Sequence, residues 1–303
     1  MSDGATLSFG IKTSQAGISY ADIVRVWREA DQLPVIEHAW LWDHMVPLRG
    51  PVNGPALEAW TLLAALAAQT ERIRLGVMVT SNRLRPPAVL AKMAATVDII
   101  SNGRLEFGIG AGGNQLPGND ETLMAIVRRE FEGYGIPIVP AADAVRALAE
   151  SVTLIRRMWV EDELFDFDGR YYQLKGAVCE PKPVQKPHPP IMIGGAGRKL
   201  TLRLVAEQAA LWSCPAWSAA EFTQHNDALN EHCAAIGRDP REIKRSVQLL
   251  LRPSEDAAAA RAALLEYVRA GADHLVIGSI PPVRPMTWLA EEVIEPVIAE
   301  AAG

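Results

Sequence analysis

The feature that most constrains this chain is a rhythm. Short β-like runs alternate with helical patterns almost from end to end, and eight such pairs can be counted. The runs are SFGIKTS (8–14), HAWLWDH (38–44), IRLGVMVT (73–80), RLEFGIGAG (104–112), IMIGGAG (191–197), ALWSCP (210–215), KRSVQLLLRP (244–253) and HLVIGSI (274–280). Helical patterns follow them. Ser19 with Asp22 has capping-box spacing before ADIVRVWREADQL. Pro86 and Pro87 stand at a helix start, where a missing N–H is tolerated. Strands alternating with helices predict a parallel sheet. Eight units in 303 residues predict an α/β fold, a (β/α)8 TIM barrel, with a doubly wound open sheet as the alternative. No boundary interrupts the pattern, so residues 1–303 are expected to form a single TIM-barrel domain.

Two insertions are expected in that barrel. Residues 113–140, after strand four, break the rhythm with Pro117, Gly118, Gly133, Gly135, Pro137 and Pro140. The second lies around 160–190, beyond a long amphipathic helix. There FDFDGRYYQLKG reads as two strand-like runs around Asp168-Gly169, a hairpin signal, and CEPKPVQKPHPP as an extended connector.

Composition narrows the function classes. Apolar residues (49%) suffice for a large core, and 22% charged residues argue against disorder. A net charge of −6 without a basic run speaks against nucleic acid and anionic membranes as partners. Charges interrupt every apolar stretch before ~18 residues, so no membrane span is expected. The start MSDGATLSFG is too polar for a secretory signal. Cys179, Cys214 and Cys233, odd in number and widely spaced, suit reduced thiols, so a cytoplasmic location is expected. None sits in a zinc spacing, and no metal is expected.

The stretch RLEFGIGAGGN holds a literal G-x-G-x-x-G in Gly108, Gly110 and Gly113. A dinucleotide fingerprint needs a turn straight into a helix whose N-terminus meets the pyrophosphate. Gly113 is instead followed by Asn-Gln-Leu-Pro-Gly-Asn, which cannot continue a helix. Glu130 and Glu132, near the distance expected for a ribose ligand, end a helical pattern rather than a strand. Three β-α units also precede the motif. The glycines therefore either let a flat ligand press against backbone at the barrel mouth or serve tight barrel packing.

In a barrel, function collects at the C-terminal ends of the strands. Strand two ends in Trp42, Asp43 and His44. The imidazole suits proton transfer, and a neighbouring aspartate can orient it, provided the strand has ended so that both reach one site. Strand five ends in Gly194–Gly197 with Arg198 and Lys199 entering a helix, an anion seat or a solvated turn. Thr80, Ser81 and Asn82 after strand three can bind a polar ring edge or cap a helix. Trp40, Trp42, Trp212 and Trp217 lie near strand ends and can stack on a ligand or pack. His225, His232 and Cys233 share a helix face that reads as polar surface.

WLWDH at strand two, RLEFGIGAGGN at strand four, and FDFDGRYYQLKG with EPKPVQKPHPPIMIGGAGRK resemble the bacterial-luciferase-like superfamily, and within it the deazaflavin-dependent oxidoreductases. The likeness is specific from about Phe9 to Trp212 and loose in the last third. It implies a TIM barrel whose top face holds coenzyme F420, or its relative FMN. By that resemblance Asp43 contacts cofactor and, with His44, forms the catalytic pair, His44 handling the proton. Thr80 carries the polar end of strand three. Ala111, Gly112 and Asn114 lie against the ring and its side chain, and Gly195, Ala196, Gly197 and Arg198 lie at the cofactor phosphate. The resemblance also implies a non-proline cis peptide within Gly76–Val79 and a homodimer. The family's sugar-phosphate dehydrogenases carry a glutamate where this chain has Gly113. That puts a sugar-phosphate substrate in doubt and leaves His44 as the clear proton-transfer residue.

The expected activity is thus an F420-dependent hydride transfer, in either direction, between the deazaflavin C5 and a small organic substrate. Two rivals remain at this level, an FMN-dependent monooxygenase on the same barrel and a non-catalytic flavin-binding or deazaflavin-binding protein.

Overall fold

The computed structural model describes residues 6–112, 121–252, 254–279 and 284–302. In chain order the first half holds β1 (Ser8–Thr13), α1 (Tyr20–Asp31), β2 (His38–Leu41), α2 (Ala59–Ala67), β3 (Arg74–Val77), β4 (Thr80–Ser81), α3 (Pro87–Ile100), β5 (Leu105–Gly110), α4 (Glu121–Gly133) and α5 (Ala141–Val160). The second half holds β6 (Phe165–Asp168), β7 (Gln173–Ala177), β8 (Ile191–Gly194), α6 (Thr201–Gln208), β9 (Leu211–Cys214), α7 (Ala219–Ala235), β10 (Lys244–Leu251), α8 (Ala257–Arg269) and β11 (His274–Ser279). It ends in α9 (Met286–Leu289), a π turn (Ala290–Ile294) and α10 (Glu295–Ala302). No helix of the described residues is long and apolar enough to cross a membrane.

Eight strands pair in parallel in the order β3-β2-β1-β11-β10-β9-β8-β5, and β3 pairs with β5 to close the ring. The barrel expected from the rhythm is the one that forms, and the open-sheet alternative is excluded. Alternation along each strand sets its two faces. Phe9, Ile11, Ala39, Leu41, Leu75 and Val77 pack outward against a helix layer that contributes Trp27, Trp60 and Trp159. Trp40, Met78, Met192, Leu211 and Val276 form a smaller second core. Helix starts follow the local chemistry. Ser19, Ser218 and Asp256 each accept a bond from the backbone N–H three residues on, worth about 1 kcal/mol apiece.

Three details differ from the sequence expectation. The run 73–80 is not one strand. β3 stops at Val77, the Met78–Val79 peptide is cis, and the two-residue β4 resumes pairing with the upper end of β5. The cis bond lies within the stretch the resemblance indicated. The stretch after strand four contains helix α4, whose Val127, Glu130 and Phe131 share a buried face. Finally, α6 starts at Thr201, so Arg198 and Lys199 sit in a turn before it rather than in its first turn. The hairpin forms as expected, with Asp168 opposite Gln173.

Candidate functional site

β2 ends at Leu41, so Trp42, Asp43 and His44 leave the sheet at the top of the barrel. The strand has therefore ended where two successive residues have to serve one region, yet Asp43 and His44 take different partners. Asp43 is buried. Its carboxylate accepts from Arg85 Nη1 at 2.9 Å and Nη2 at 3.0 Å, and from the Ser81 N–H at 2.9 Å. Arg85 also pairs with Glu58, the N-cap of α2. Burial pushes the Asp43 carboxyl above its ordinary range, against the pull of Arg85. Asp43 thus ties the β2 loop to the β4–α3 loop.

His44 is held from elsewhere. Its Nδ1 lies 3.1 Å from Oε2 of Glu130, a residue of α4 only 2% exposed at its side chain. The other oxygen of Glu130 accepts from the backbone N–H groups of Met45 and Val46, the latter at 3.3 Å. A carboxylate with that set of donors takes the Nδ1 hydrogen of the imidazole and fixes its tautomer, leaving Nε2 to exchange a proton. The Trp42 ring lies 5.2 Å from that of His44.

The floor between these groups is built around the Val79 side chain. Gly110 ends β5 and Gly194 ends β8, and the two stand in register. A Cβ on either would come within 2.8 Å of Val79 Cγ2. Gly108 serves packing too, since its Cβ would meet the Val77 carbonyl oxygen at 2.2 Å. Gly112 has φ +83°, and a Cβ there would lie 2.5 Å from Ser81 Oγ. Gly108, Gly110 and Gly194 thus serve close packing against Val77 and Val79, one of the two expected reasons for the glycine run. Ala111 and Gly112 are partly accessible above β5.

The turn after β8 has the properties of an anion seat. Gly195 N donates to Ser213 O and its carbonyl accepts from Trp212 Nε1 at 2.8 Å, which fixes the start of the turn. Beyond it, the main-chain N–H groups of Ala196–Leu200 have no partner among the described residues. Gly197, Arg198 and Lys199 are exposed, and neither cation enters an ion pair among the described residues. His232 of α7 donates from Nε2 to the Arg198 carbonyl at 2.7 Å and steadies the turn, a tie its position on a polar helix face did not reveal.

The expected residues therefore do not all take the same kind of place. His44, Gly112, Gly195, Ala196, Gly197 and Arg198 lie at the C-terminal ends of the strands with accessible surface. Thr80 is fully buried, and its hydroxyl accepts from Trp60 Nε1 at 3.0 Å in the helix layer, turned away from the barrel mouth. Asn114 lies outside the described residues. Of the tryptophans, Trp40 and Trp212 are fully buried and pack, while Trp42 is partly accessible and Trp217 is 71% exposed. Glu130 and Arg85, which hold His44 and Asp43, were not picked out as site residues. His44 and Glu130 are 86 positions apart and no local spacing links them.

Residues 4–292 match the luciferase-like monooxygenase family. The F420-dependent glucose-6-phosphate dehydrogenase of Kineococcus radiotolerans is 28% identical over 260 residues, covering 85% of this chain and 71% of that protein. The phthiodiolone/phenolphthiodiolone dimycocerosates ketoreductase of Mycobacterium sp. (strain JLS) is 32% identical over 199 residues, 64% of this chain but only 48% of that protein. Among solved structures, an F420-dependent secondary alcohol dehydrogenase in complex with an F420-acetone adduct has a TM-score of 0.82 at 17% identity, over 97% of this chain and 99% of that one. A closed parallel barrel, a cis peptide after its third strand and a match along nearly the whole sequence agree, and the chain belongs to the luciferase-like monooxygenase family.

Proposed function

We propose that this chain is an F420-dependent oxidoreductase that moves a hydride between C5 of the deazaflavin and a small organic substrate, with His44 exchanging the accompanying proton. The observation that carries this reading is that a carboxylate-held histidine and a loop of free N–H groups with two cations both stand at the C-terminal ends of the barrel strands. Residues 195–199 suit the cofactor phosphate. Two relatives named for F420 dependence favour that cofactor over FMN. When bound, the deazaflavin supplies hydride chemistry, and the protein supplies orientation and protons.

His44 is the group for the protons. Glu130 holds its Nδ1, so Nε2 gives a proton to a substrate oxygen or takes one from it. Asp43, saturated by Arg85 and Ser81, acts by keeping the β2 and β4–α3 loops in place.

Titration of the purified protein with F420 and with FMN, followed by quenching, tests the cofactor. F420 is expected to bind at least about 10-fold more tightly. Tighter FMN binding with dioxygen-dependent turnover would identify a monooxygenase, and tight F420 binding without turnover on any substrate panel a carrier. His44→Gln is expected to lower turnover ~10²–10⁴-fold at an unchanged F420 dissociation constant. Full turnover in that variant removes His44 from the chemistry.

A further inference from the structure

One charged side chain of the barrel interior takes no part in the site described above. Lys12 is the last inward-facing residue of β1, two positions above Gly10, whose Cβ would collide with His38. In register it stands between Gly278 of β11 and Trp40 of β2. Trp40 is fully buried. Leu250 of β10, in register with Gly278, leans over that glycine, whose Cβ would lie 3.4 Å from Leu250 Cδ1. Leu250 is nevertheless 45% exposed, so the space at this level opens to solvent. Val79 stands across the ring of strands, against Gly110 and Gly194. The mouth beside Lys12 is thus walled by indole and aliphatic carbon and has one polar corner.

That corner is made by two side chains. Lys12 is partly accessible, and its Nζ donates 2.7 Å to Oε1 of Gln248 on β10. The bond uses the amide oxygen and leaves the amide NH2 without an acceptor among the described residues. Among those residues Lys12 enters no ion pair, and burial alone lowers its ammonium to about 8, so most of it is charged at neutral pH. A part-enclosed ammonium with only a neutral partner is costly unless a ligand brings the missing charge. The free NH2 beside it adds a second donor. A carboxylate has one oxygen for each. Around them Trp40, Leu250 and Val79 offer contact to carbon. His44 follows the end of β2, the strand paired with β1, so the cation and the proton-exchanging ring belong to adjacent strand ends. The loop of residues 195–199 follows β8, four strands from β1 around the barrel.

We propose that Lys12 and the Gln248 amide form a carboxylate subsite in the mouth, and that the substrate is a small carboxylic acid anchored there with its reacting oxygen towards His44. Gln248 orients the ammonium without neutralising it. The assignment of the acid as substrate rests on the F420 reading given above; the binding of an acid at Lys12 does not.

The test is calorimetric titration of wild type, Lys12→Gln and Gln248→Glu with acetate, pyruvate, succinate and benzoate and with the corresponding amides, each with and without F420. Gln248→Glu keeps the lysine but gives it a carboxylate from the protein itself. The two variants thus remove the subsite by different routes, and either one suffices if the other does not fold. At least one acid is expected to bind wild type about 10-fold more tightly than its amide, and each variant to reduce that preference to less than about 3-fold. F420 affinity is expected to change less than about 3-fold. A lysine that only braces β1 against β10 would leave acids and amides alike in wild type. A preference that survives in both folded variants would place the acid elsewhere, such as at residues 195–199. Loss of F420 affinity in Lys12→Gln with acid binding unchanged would give the charge to the cofactor. Each of these results, or a wild type that binds none of the acids, overturns the subsite. Lys12-dependent acid binding by a protein that does not bind F420 overturns the F420 reading and leaves the subsite standing.

Discussion

The two ends of the barrel interior are built from the same strands by the same alternation, yet they treat polar groups in opposite ways. At the bottom, Glu106 pairs with Arg74 at 2.6 Å and lies 3.8 Å from His274 Nε2. His274 Nδ1 is 2.8 Å from Ser246 Oγ, and its ring stacks on His38 at 3.8 Å. Trp40 Nε1 donates to His38 Nδ1, and Gln185 from the proline-rich connector accepts from Arg74 and closes that end. Burial pushes the Glu106 carboxyl up, but the nearby His274 and Arg74 outweigh it and hold it far below the carboxylate range. At the top, Lys12 has an amide for its partner, Gly278 and Trp40 stand beside it, and the N–H groups of residues 196–200 have no acceptor among the described residues. The contrast lies in charge pairing, since Arg74 meets Glu106 at the bottom while Lys12 has no carboxylate at the top. It is not one of full satisfaction, because His38 Nε2, His274 Nε2 and Glu106 Oε2 have no hydrogen-bond partner among the described residues.

The contrast can be broken from either end. The largest effect belongs to the bottom. Glu106→Leu strands Arg74 and His274 and is expected to cost about 3 kcal/mol in denaturant unfolding, with F420 affinity of the folded protein unchanged. A loss of affinity without loss of stability would move Glu106 into the site. Next is Glu130→Gln at the top, which releases the His44 ring. Turnover is expected to fall about 10-fold, with melting temperature and F420 affinity nearly constant. A variant that turns over normally would show that His44 needs no support from α4.

The smallest effect is on pH. Burial, with His274 packed against its ring, keeps His38 neutral well below the ordinary histidine range, and the indole N–H on its Nδ1 agrees. The unfolded chain binds a proton below ~6.5 that the folded chain refuses, so stability falls as pH drops through that value, by about 1 kcal/mol near pH 5.5. Glu106 adds a further loss in the carboxylate range, with the same sign. Unfolding midpoints from pH 7.5 to 5 in wild type and His38→Gln would check this, the variant having the shallower slope.

Much of this was legible in the residues. Eight β-α units, the cap at Ser19, the hairpin around Asp168-Gly169 and the outward stripes of Phe9 and Ile11 are local patterns, and local patterns survive folding. The same alternation puts Lys12 on the Gly10 face of β1. The break in the third strand was not local. Met78 N bonds to Leu41 O and Asn82 N to Gly110 O, so the neighbouring strands set its path. Nor was Glu130 legible as a site residue. Only the return of α4 over the mouth brings it to His44.

The sequence by itself determined the barrel and the end of it at which chemistry belongs, because periodicity and turn residues act over a few positions and closure follows from repeating one right-handed unit. Which carboxylate serves the histidine, which arginine saturates Asp43 and which lysine stays uncompensated were decided by tertiary structure alone. Those pairings join residues 42, 86 or 236 positions apart, and only burial in a shared interior makes their charges act on one another.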